Sequence, residues 1–147
     1  MITLRPGRTE DAEALAALEA GAVGHPWTVT HYLDSLASHH CWVLEDGGRL
    51  VASVIWSLVV DEAELLNIVV DPAYRGRGLG RRLLRHLIAN AGTRRIHLEV
   101  RESNAPARAL YLSQGFRQLG MRKNYYPAES LSAGQREHAI LMVYNCQ

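Results

Sequence analysis

The sequence has few cysteines and a single lysine, and it has no long apolar run. Its 147 residues include two cysteines, Cys41 and Cys146, while Lys123 is its one lysine. Two cysteines so far apart cannot form the disulfide framework of a small secreted domain, so free thiols in a reducing compartment are expected. No apolar run approaches the ~20 residues that span a membrane, and the first residues carry charge too early for a signal peptide. We therefore expect a soluble, cytoplasmic protein.

Length and overall charge point to no specialised class of protein. The length matches one compact domain, so we expect a single domain over residues 1–147. Hydrophobic residues make up 48% of the chain, enough for an ordinary core. The formal net charge of +1 gives no reason to expect a nucleic-acid binder. Five arginines are nevertheless clustered within eleven residues: Arg75, Arg77, Arg81, Arg82 and Arg85.

The spacing of apolar residues predicts an α/β fold in which helices cover a mixed sheet. Strands are predicted near residues 2–4, 41–44, 50–60, 64–70, 96–100, 116–126 and 139–144. Helices are predicted after Thr9, after Thr28 or Thr30, over residues 78–91 and after Asn104. The predicted inner face of the first helix consists of Ala14, Leu15, Leu18 and Ala22.

A glycine-rich turn joins the predicted central strand to the helix that follows. Gly76, Gly78 and Gly80 alternate there, and glycine allows positive φ and a close approach of the backbone to a ligand. Amide N–H groups at the start of a helix converge on one point, where the helix dipole also favours negative charge. The neighbouring arginines add charged donors. The turn therefore predicts a phosphate or pyrophosphate site.

Three kinds of phosphate loop can be compared with this turn. A Walker loop requires a Lys followed by Ser or Thr after its glycines, and neither is present. A dinucleotide fingerprint requires G-x-G-x-x-G, whereas here the glycines alternate and a predicted hairpin precedes them. The third pattern, Arg/Gln-x-x-Gly-x-Gly/Ala, is met by Arg75, Gly78 and Gly80. That pattern resembles the acetyl-CoA pyrophosphate loop of the GNAT superfamily of N-acetyltransferases.

The resemblance covers most of the chain, and within the superfamily it is to the bacterial ribosomal-protein-alanine N-acetyltransferases. The matching segments are residues 25–27 (HPW), 64–68 (ELLNI), 78–81 (GLGR), 98–104 (LEVRESN), 109–111 (ALY), 115–116 (GF) and 122–127 (RKNYYP). Two features depart from the family pattern. The first is residues 128–137, which differ from its short Asp-Gly-Arg-Glu turn, with His138 standing where Asp is common, and the second is the short connector of residues 91–95.

The resemblance implies the GNAT fold, with a mostly antiparallel central sheet flanked by helices, and acetyl-CoA as co-substrate. It implies that the cofactor contacts are Ile68, Val69, Val70, Arg75, Gly76, Arg77, Gly78, Leu79, Gly80, Arg81 and Asn104. It also implies that Glu99 is the general base and Tyr111 the general acid. A solvent-facing carboxylate and a core tyrosine are the alternatives for those two residues. Glu62, Glu64 and Glu102 are rival bases.

The acceptor implied by the resemblance is the N-terminal alanine of a small-subunit ribosomal protein. An α-amine with an unperturbed pKa of ~8 is roughly one-tenth neutral at pH 7, whereas a lysine at ~10.4 is neutral in fewer than roughly one molecule in a thousand. A modest base therefore suffices for an N-terminal acceptor. The expected substrate contacts, for which ordinary packing is the alternative, are Trp27, Asn67, Tyr125 and Tyr126.

The expected mechanism is direct attack in a ternary complex, because no nucleophile for an acyl-enzyme is indicated. The histidines and cysteines lack metal-ligand spacing, so no metal is expected. We also expect a monomer with no nucleic-acid or membrane partner. Three alternatives stay open: a lysine, a small-molecule amine or another protein terminus as acceptor, a non-catalytic acyl-CoA-binding module, and an RNA-contacting protein.

Overall fold

The computed structural model describes residues 1–127 and 136–146, without the side chains of Tyr126 and Pro127. Its strands are β1 Ile2–Pro6, β2 His40–Asp46, β3 Arg49–Val59, β4 Glu62–Val70, β5 Arg95–Arg101, β6 Arg117–Pro127 and β7 Arg136–Asn145. Its helices are α1 Ala12–Ala20, α2 Val29–Ser38, α3 Leu79–Asn90 and α4 Ala105–Ser113. The predicted order of strands and helices is confirmed. Within the described residues, no helix has both the length and the apolarity that a membrane crossing requires.

The strands form one sheet in the order β1-β2-β3-β4-β5-β7-β6. β4 and β5 run parallel, and the other neighbouring strands described here run antiparallel, which confirms the mostly antiparallel sheet. The pairing of β4 with β5 covers residues 62–64 and 95–97, whereas β3 stays paired with β4 as far as Val70. The later part of β4 therefore has backbone N–H and C=O groups facing β5 that no described strand pairs.

Each face of the sheet has its own core, because side chains alternate along a strand. On one face, Leu83, Leu84 and Leu87 of α3 pack against the sheet together with Ile96, Leu98 and Val100 of β5. On the other face, α1 and α2 pack against β2 and β3 through Ala12, Leu15, Tyr32, Cys41, Val43 and Ile55. Since residue 99 lies between two residues that face α3, Glu99 lies on the α1/α2 face.

The predicted inner face of α1 is confirmed at Leu15 and wrong at Ala14. Ala14 is exposed, and the buried residues of α1 are Ala12, Leu15 and Glu19. The helix begins later than the sequence suggested, because a 3₁₀ turn occupies Thr9–Asp11. Asp11 fixes this turn, because its carboxylate accepts the Arg8 N–H at 2.8 Å. The predicted cap at Thr9 is therefore replaced by a contact of Asp11. The buried stripe of α1 thus includes a carboxylate, Glu19.

Candidate active site

A groove of about 610 Å³ opens where β4 and β5 separate. Its walls are the end of β4, the turn before α3, the first turns of α4 and residues 22–24 of the α1–α2 loop. The predicted cofactor residues that line it are Ile68, Val69, Val70, Arg75, Gly76, Gly78, Leu79, Gly80, Arg81 and Asn104. The structure therefore brings together, in one groove, the strand edge and the turn that the sequence singled out separately.

The turn before α3 has the geometry of an anion site. Gly76 and Gly78 have φ values of 81° and 77°, in the left-handed region that favours glycine. The first helical hydrogen bond runs from the Arg82 N–H to the Gly78 carbonyl, so the N–H groups of residues 79–81 precede the ladder. The first turn of α3 contains no acidic residue and Gly78 supplies no side-chain cap. These free amide groups can therefore bind a phosphate oxygen.

The arginines of this turn have different contacts. Arg75 lines the groove and donates through Nη2 to the carbonyl of Ala22 at 3.1 Å, which ties the turn to the α1–α2 loop. Arg77 does not line the groove. Its guanidinium lies 4.7 Å from the centroid of the Tyr74 ring, where a cation–π contact holds it. The predicted contact between the Arg77 side chain and the cofactor stays a prediction. The position of the side chain outside the groove lining does not support it.

Two predicted site residues belong to α4 and its N-terminal cap. Tyr111 lines the groove with 5% of its surface exposed, and its ring packs 5.8 Å from that of Phe116. Asn104 also lines the groove, and its Oδ1 accepts the Ala107 N–H at 3.2 Å. The capping role and the proposed cofactor contact of Asn104 are therefore compatible.

Glu99 lies outside the groove lining, on the α1/α2 face of β5. Its side chain is 24% exposed, and Oε1 lies 3.3 Å from Nη2 of Arg122 on β6. The Arg122 guanidinium in turn lies 5.0 Å from the ring centroid of Tyr125. The rival carboxylates Glu62, Glu64 and Glu102 are exposed. Glu99 is therefore the least exposed of the four candidate bases.

Two of the predicted substrate contacts, Trp27 and Asn67, form hydrogen bonds with Glu19. The sequence interpretation did not include Glu19. The Glu19 carboxylate accepts hydrogen bonds from the Trp27 N–H, the Tyr32 hydroxyl and the Asn67 amide nitrogen. The Trp27 ring packs 5.3 Å from that of Tyr32. A sequence signal did exist, because residues 12, 15 and 19 share one face of a helix. The polarity of Glu19 argued against placing that face inward.

The departure at His138 has a structural explanation. Its Nδ1 accepts the N–H of Asn124 at 2.9 Å, and Asn124 has a φ of 53° within an irregular stretch of β6. A ring nitrogen thus supplies the hydrogen-bond acceptor that a carboxylate would supply at this position. The neighbouring segment 128–135 and the Tyr126 side chain, both named in the sequence interpretation, lie outside the described residues.

Comparison with known proteins identifies the family. The sequence model of the acetyltransferase (GNAT) family matches residues 10–116. The chain belongs to this family. Across 97% of its length it is 40% identical to the [ribosomal protein bS18]-alanine N-acetyltransferase of Escherichia coli strain K12, of which the match covers 96%. The enzyme of the same name from Salmonella typhimurium is 41% identical, over 91% of this chain and 90% of its own.

A solved structure supports the assignment of this GNAT protein. The crystal structure of the ribosomal-protein-S18-alanine N-acetyltransferase from Escherichia coli superposes with a TM-score of 0.90. That comparison covers 100% of this chain and 95% of the other, at 38% identity. The fold is therefore the GNAT fold, and the protein is an N-acetyltransferase of a family that uses acetyl-CoA. Among the described residues, no group of three His, Cys, Asp or Glu is placed to hold a metal ion, and the expected absence of a metal stays a prediction.

Proposed function

We propose that the protein transfers the acetyl group of acetyl-CoA to the α-amine of an N-terminal alanine, on a small-subunit ribosomal protein. The observation that carries this proposal is the similarity along 97% of the chain to an enzyme named for that acceptor. The groove supports it, since its anion turn and open strand edge suit a pantetheine diphosphate. We further propose one catalytic domain over residues 1–147, acting as a cytoplasmic monomer where ribosomal proteins are available.

The cofactor half of the proposal depends on the backbone. The N–H groups of residues 79–81 bind the pyrophosphate, helped by the charges of Arg75 and Arg81. The open edge of β4 at residues 68–70 pairs with the amide groups of the pantetheine arm, as an added strand would. This arrangement directs the thioester toward Tyr111, which lines the same groove.

In the proposed reaction the neutral α-amine attacks the thioester carbonyl carbon, and the C–S bond then breaks. Glu99 takes the proton that the amine nitrogen loses, and Tyr111 donates a proton to the departing thiolate. With unperturbed pKa values of about 10 for a phenol and about 8.5 for a thiol, proton transfer from the phenol to the thiolate is uphill by roughly 2 kcal/mol. The proton transfer therefore requires a well-positioned phenol. The proposed acceptor contacts are Trp27, Asn67, Tyr125 and Tyr126.

Replacing Gly78 with alanine should weaken acetyl-CoA binding about tenfold. An added Cβ would meet no atom within 4 Å, so the change acts through the positive φ of 77° that alanine disfavours. The alanine turn relaxes out of the left-handed region in the free protein, so acetyl-CoA binding must restore it at a cost of roughly 1–2 kcal/mol, and 1.4 kcal/mol is a factor of ten in affinity. Isothermal titration with acetyl-CoA measures the change. Gly92→Ala is the matched control, because Gly92 has a φ of 65° and equally open surroundings but does not line the groove. Equal affinities for the two variants would contradict the anion-turn assignment.

The acceptor assignment is tested by thiol release from acetyl-CoA in the presence of peptides that differ in their first residue. A peptide beginning with alanine should support release, and an N-terminally blocked copy should not. Competition among unblocked peptides beginning with Ala, Ser, Gly and Met should favour alanine. Release with free lysine or small amines, but not with the alanine peptide, would point to the alternative acceptors. Acetyl-CoA binding without release for any amine would point to a binding module.

A further inference from the structure

Glu19 is a buried carboxylate for which the described residues supply no counter-ion. It lies in the last turn of α1 with 2% of its surface exposed. Within the described parts of the chain, no Arg, Lys or His forms an ion pair with it. The C-terminal end of a helix also disfavours a negative charge. A buried carboxylate is destabilising unless hydrogen-bond donors surround it. The donors that surround Glu19 therefore indicate what the residue does.

Its three donors come from three different elements. The Trp27 N–H belongs to the α1–α2 loop, the Tyr32 hydroxyl to α2 and the Asn67 amide to β4. Burial, and the neighbouring Glu19 carboxylate, raise the pKa of Tyr32, so its phenol stays protonated and donates. Glu19 therefore fastens the α1–α2 loop and α2 to the strand whose next residues, Ile68, Val69 and Val70, line the groove.

Oε1 of Glu19 acts as a hydrogen-bond acceptor toward both the Tyr32 hydroxyl and the Asn67 amide, and this contact fixes the orientation of the Asn67 side chain. Nδ2 of Asn67 donates to Glu19 Oε1 and lies 3.3 Å from the Tyr32 hydroxyl oxygen. Its carbonyl oxygen Oδ1 has no hydrogen-bond partner among the residues that the structure describes. Asn67 is half-buried, so this oxygen is the part of the amide left for a ligand.

We propose that Glu19 is a positioning residue that holds the Asn67 amide with its nitrogen inward, so that Oδ1 accepts an N–H of the incoming protein N-terminus. The proposal rests on the proposed acetylation of an N-terminal amine. Asn67 then makes the contact to the acceptor, and Glu19 acts through Asn67. The Asn67 oxygen recognises the N–H groups of the acceptor, while the neighbouring residues of β4 hold the cofactor.

The decisive variant is Glu19→Gln, which keeps the shape of the side chain and changes one acceptor into a donor. The new side chain can still accept the Trp27 N–H through its amide oxygen. Its amide nitrogen then faces Asn67, so the Asn67 side-chain amide must flip to point Oδ1 at that nitrogen. Nδ2 of Asn67 then points at the amine of the substrate, and two hydrogen-bond donors face each other. We expect the KM for an alanine peptide to rise about tenfold, the size of one lost hydrogen bond. The KM for acetyl-CoA and the melting temperature should stay close to those of the wild type.

A double-mutant cycle separates positioning through Asn67 from general loosening of the loop. Asn67→Ala should by itself raise the peptide KM about tenfold without changing the KM for acetyl-CoA. Adding Glu19→Gln to Asn67→Ala should then produce no further increase. Additive effects of the two changes would contradict the proposal, and so would a wild-type peptide KM in Asn67→Ala. The second result can be read even if Glu19→Gln does not fold.

The matched control is Glu13→Gln, which changes an exposed glutamate of the same helix and should behave as the wild type. If the wild type acetylates the alanine peptide and Glu19→Gln matches Glu13→Gln, the positioning role is wrong and the proposed function stands. If the wild type acetylates no N-terminal amine, the proposed function itself is wrong, and the role of Glu19 in acceptor binding is wrong with it.

Discussion

Replacing Glu99 with glutamine should lower kcat roughly 10²–10³-fold and leave the dissociation constant of acetyl-CoA unchanged. General-base catalysis typically contributes 10²–10⁴-fold, and glutamine keeps the size of the side chain while removing its basicity. Glu99 lies on the opposite face of β5 from Leu98 and Val100 and outside the groove lining, so cofactor binding should not depend on it. Stopped assays of peptide acetylation, paired with calorimetric titration of acetyl-CoA, measure the two quantities.

A higher pH should restore part of the lost activity in Glu99→Gln. An α-amine with a pKa of ~8 rises from about one-tenth neutral at pH 7 to about one-half at pH 8, so it needs less help from a base. The control is Glu102→Gln, which removes an exposed rival carboxylate three residues along the chain and should retain wild-type turnover. Unchanged turnover in Glu99→Gln, or the larger loss in Glu102→Gln, would remove Glu99 from its proposed role.

Replacing Tyr111 with phenylalanine should lower kcat roughly 10²-fold with little change in either KM. The ring remains packed against Phe116, so the variant loses only the hydroxyl that would protonate the thiolate. The loss should shrink for an acetyl donor whose thiol is more acidic than that of CoA, because such a leaving group needs less protonation. Steady-state kinetics with both donors measure this difference.

Tyr144→Phe is the matched control for that experiment. Tyr144 packs against the same Phe116, with ring centroids 5.4 Å apart, and does not line the groove. Its loss of a hydroxyl should leave kcat near the wild-type value. An equal decrease of kcat in the two variants would show that any lost hydroxyl next to Phe116 lowers the activity. Tyr111 would then not be the general acid.

The parts of the site that a sequence can predict are those that depend on local conformation. The alternation of Gly76, Gly78 and Gly80 before an amphipathic helix predicts an anion turn, because positive φ and a helix N-terminus are local properties. The contact of Arg77 with Tyr74 could not be predicted in this way, since it depends on where the side chain packs.

The parts that the sequence did not predict depend on long-range packing. The separation of β4 from β5 beyond residues 64 and 97 creates the groove, and no spacing along either strand encodes it. Glu19 was missed because hydrophobic periodicity treats a carboxylate as outward-facing. Its partners Trp27, Tyr32 and Asn67 are 8, 13 and 48 residues away along the chain, so only the folded arrangement shows that it is satisfied.

The most direct test of the proposed function is to find where the acetyl group is attached. A peptide that begins with alanine and contains an internal lysine is incubated with acetyl-CoA and the protein, and the product is mapped by tandem mass spectrometry. Acetylation of the α-amine, with the lysine unmodified, is the expected result. Acetylation of the lysine, with the N-terminal alanine left free, would contradict it.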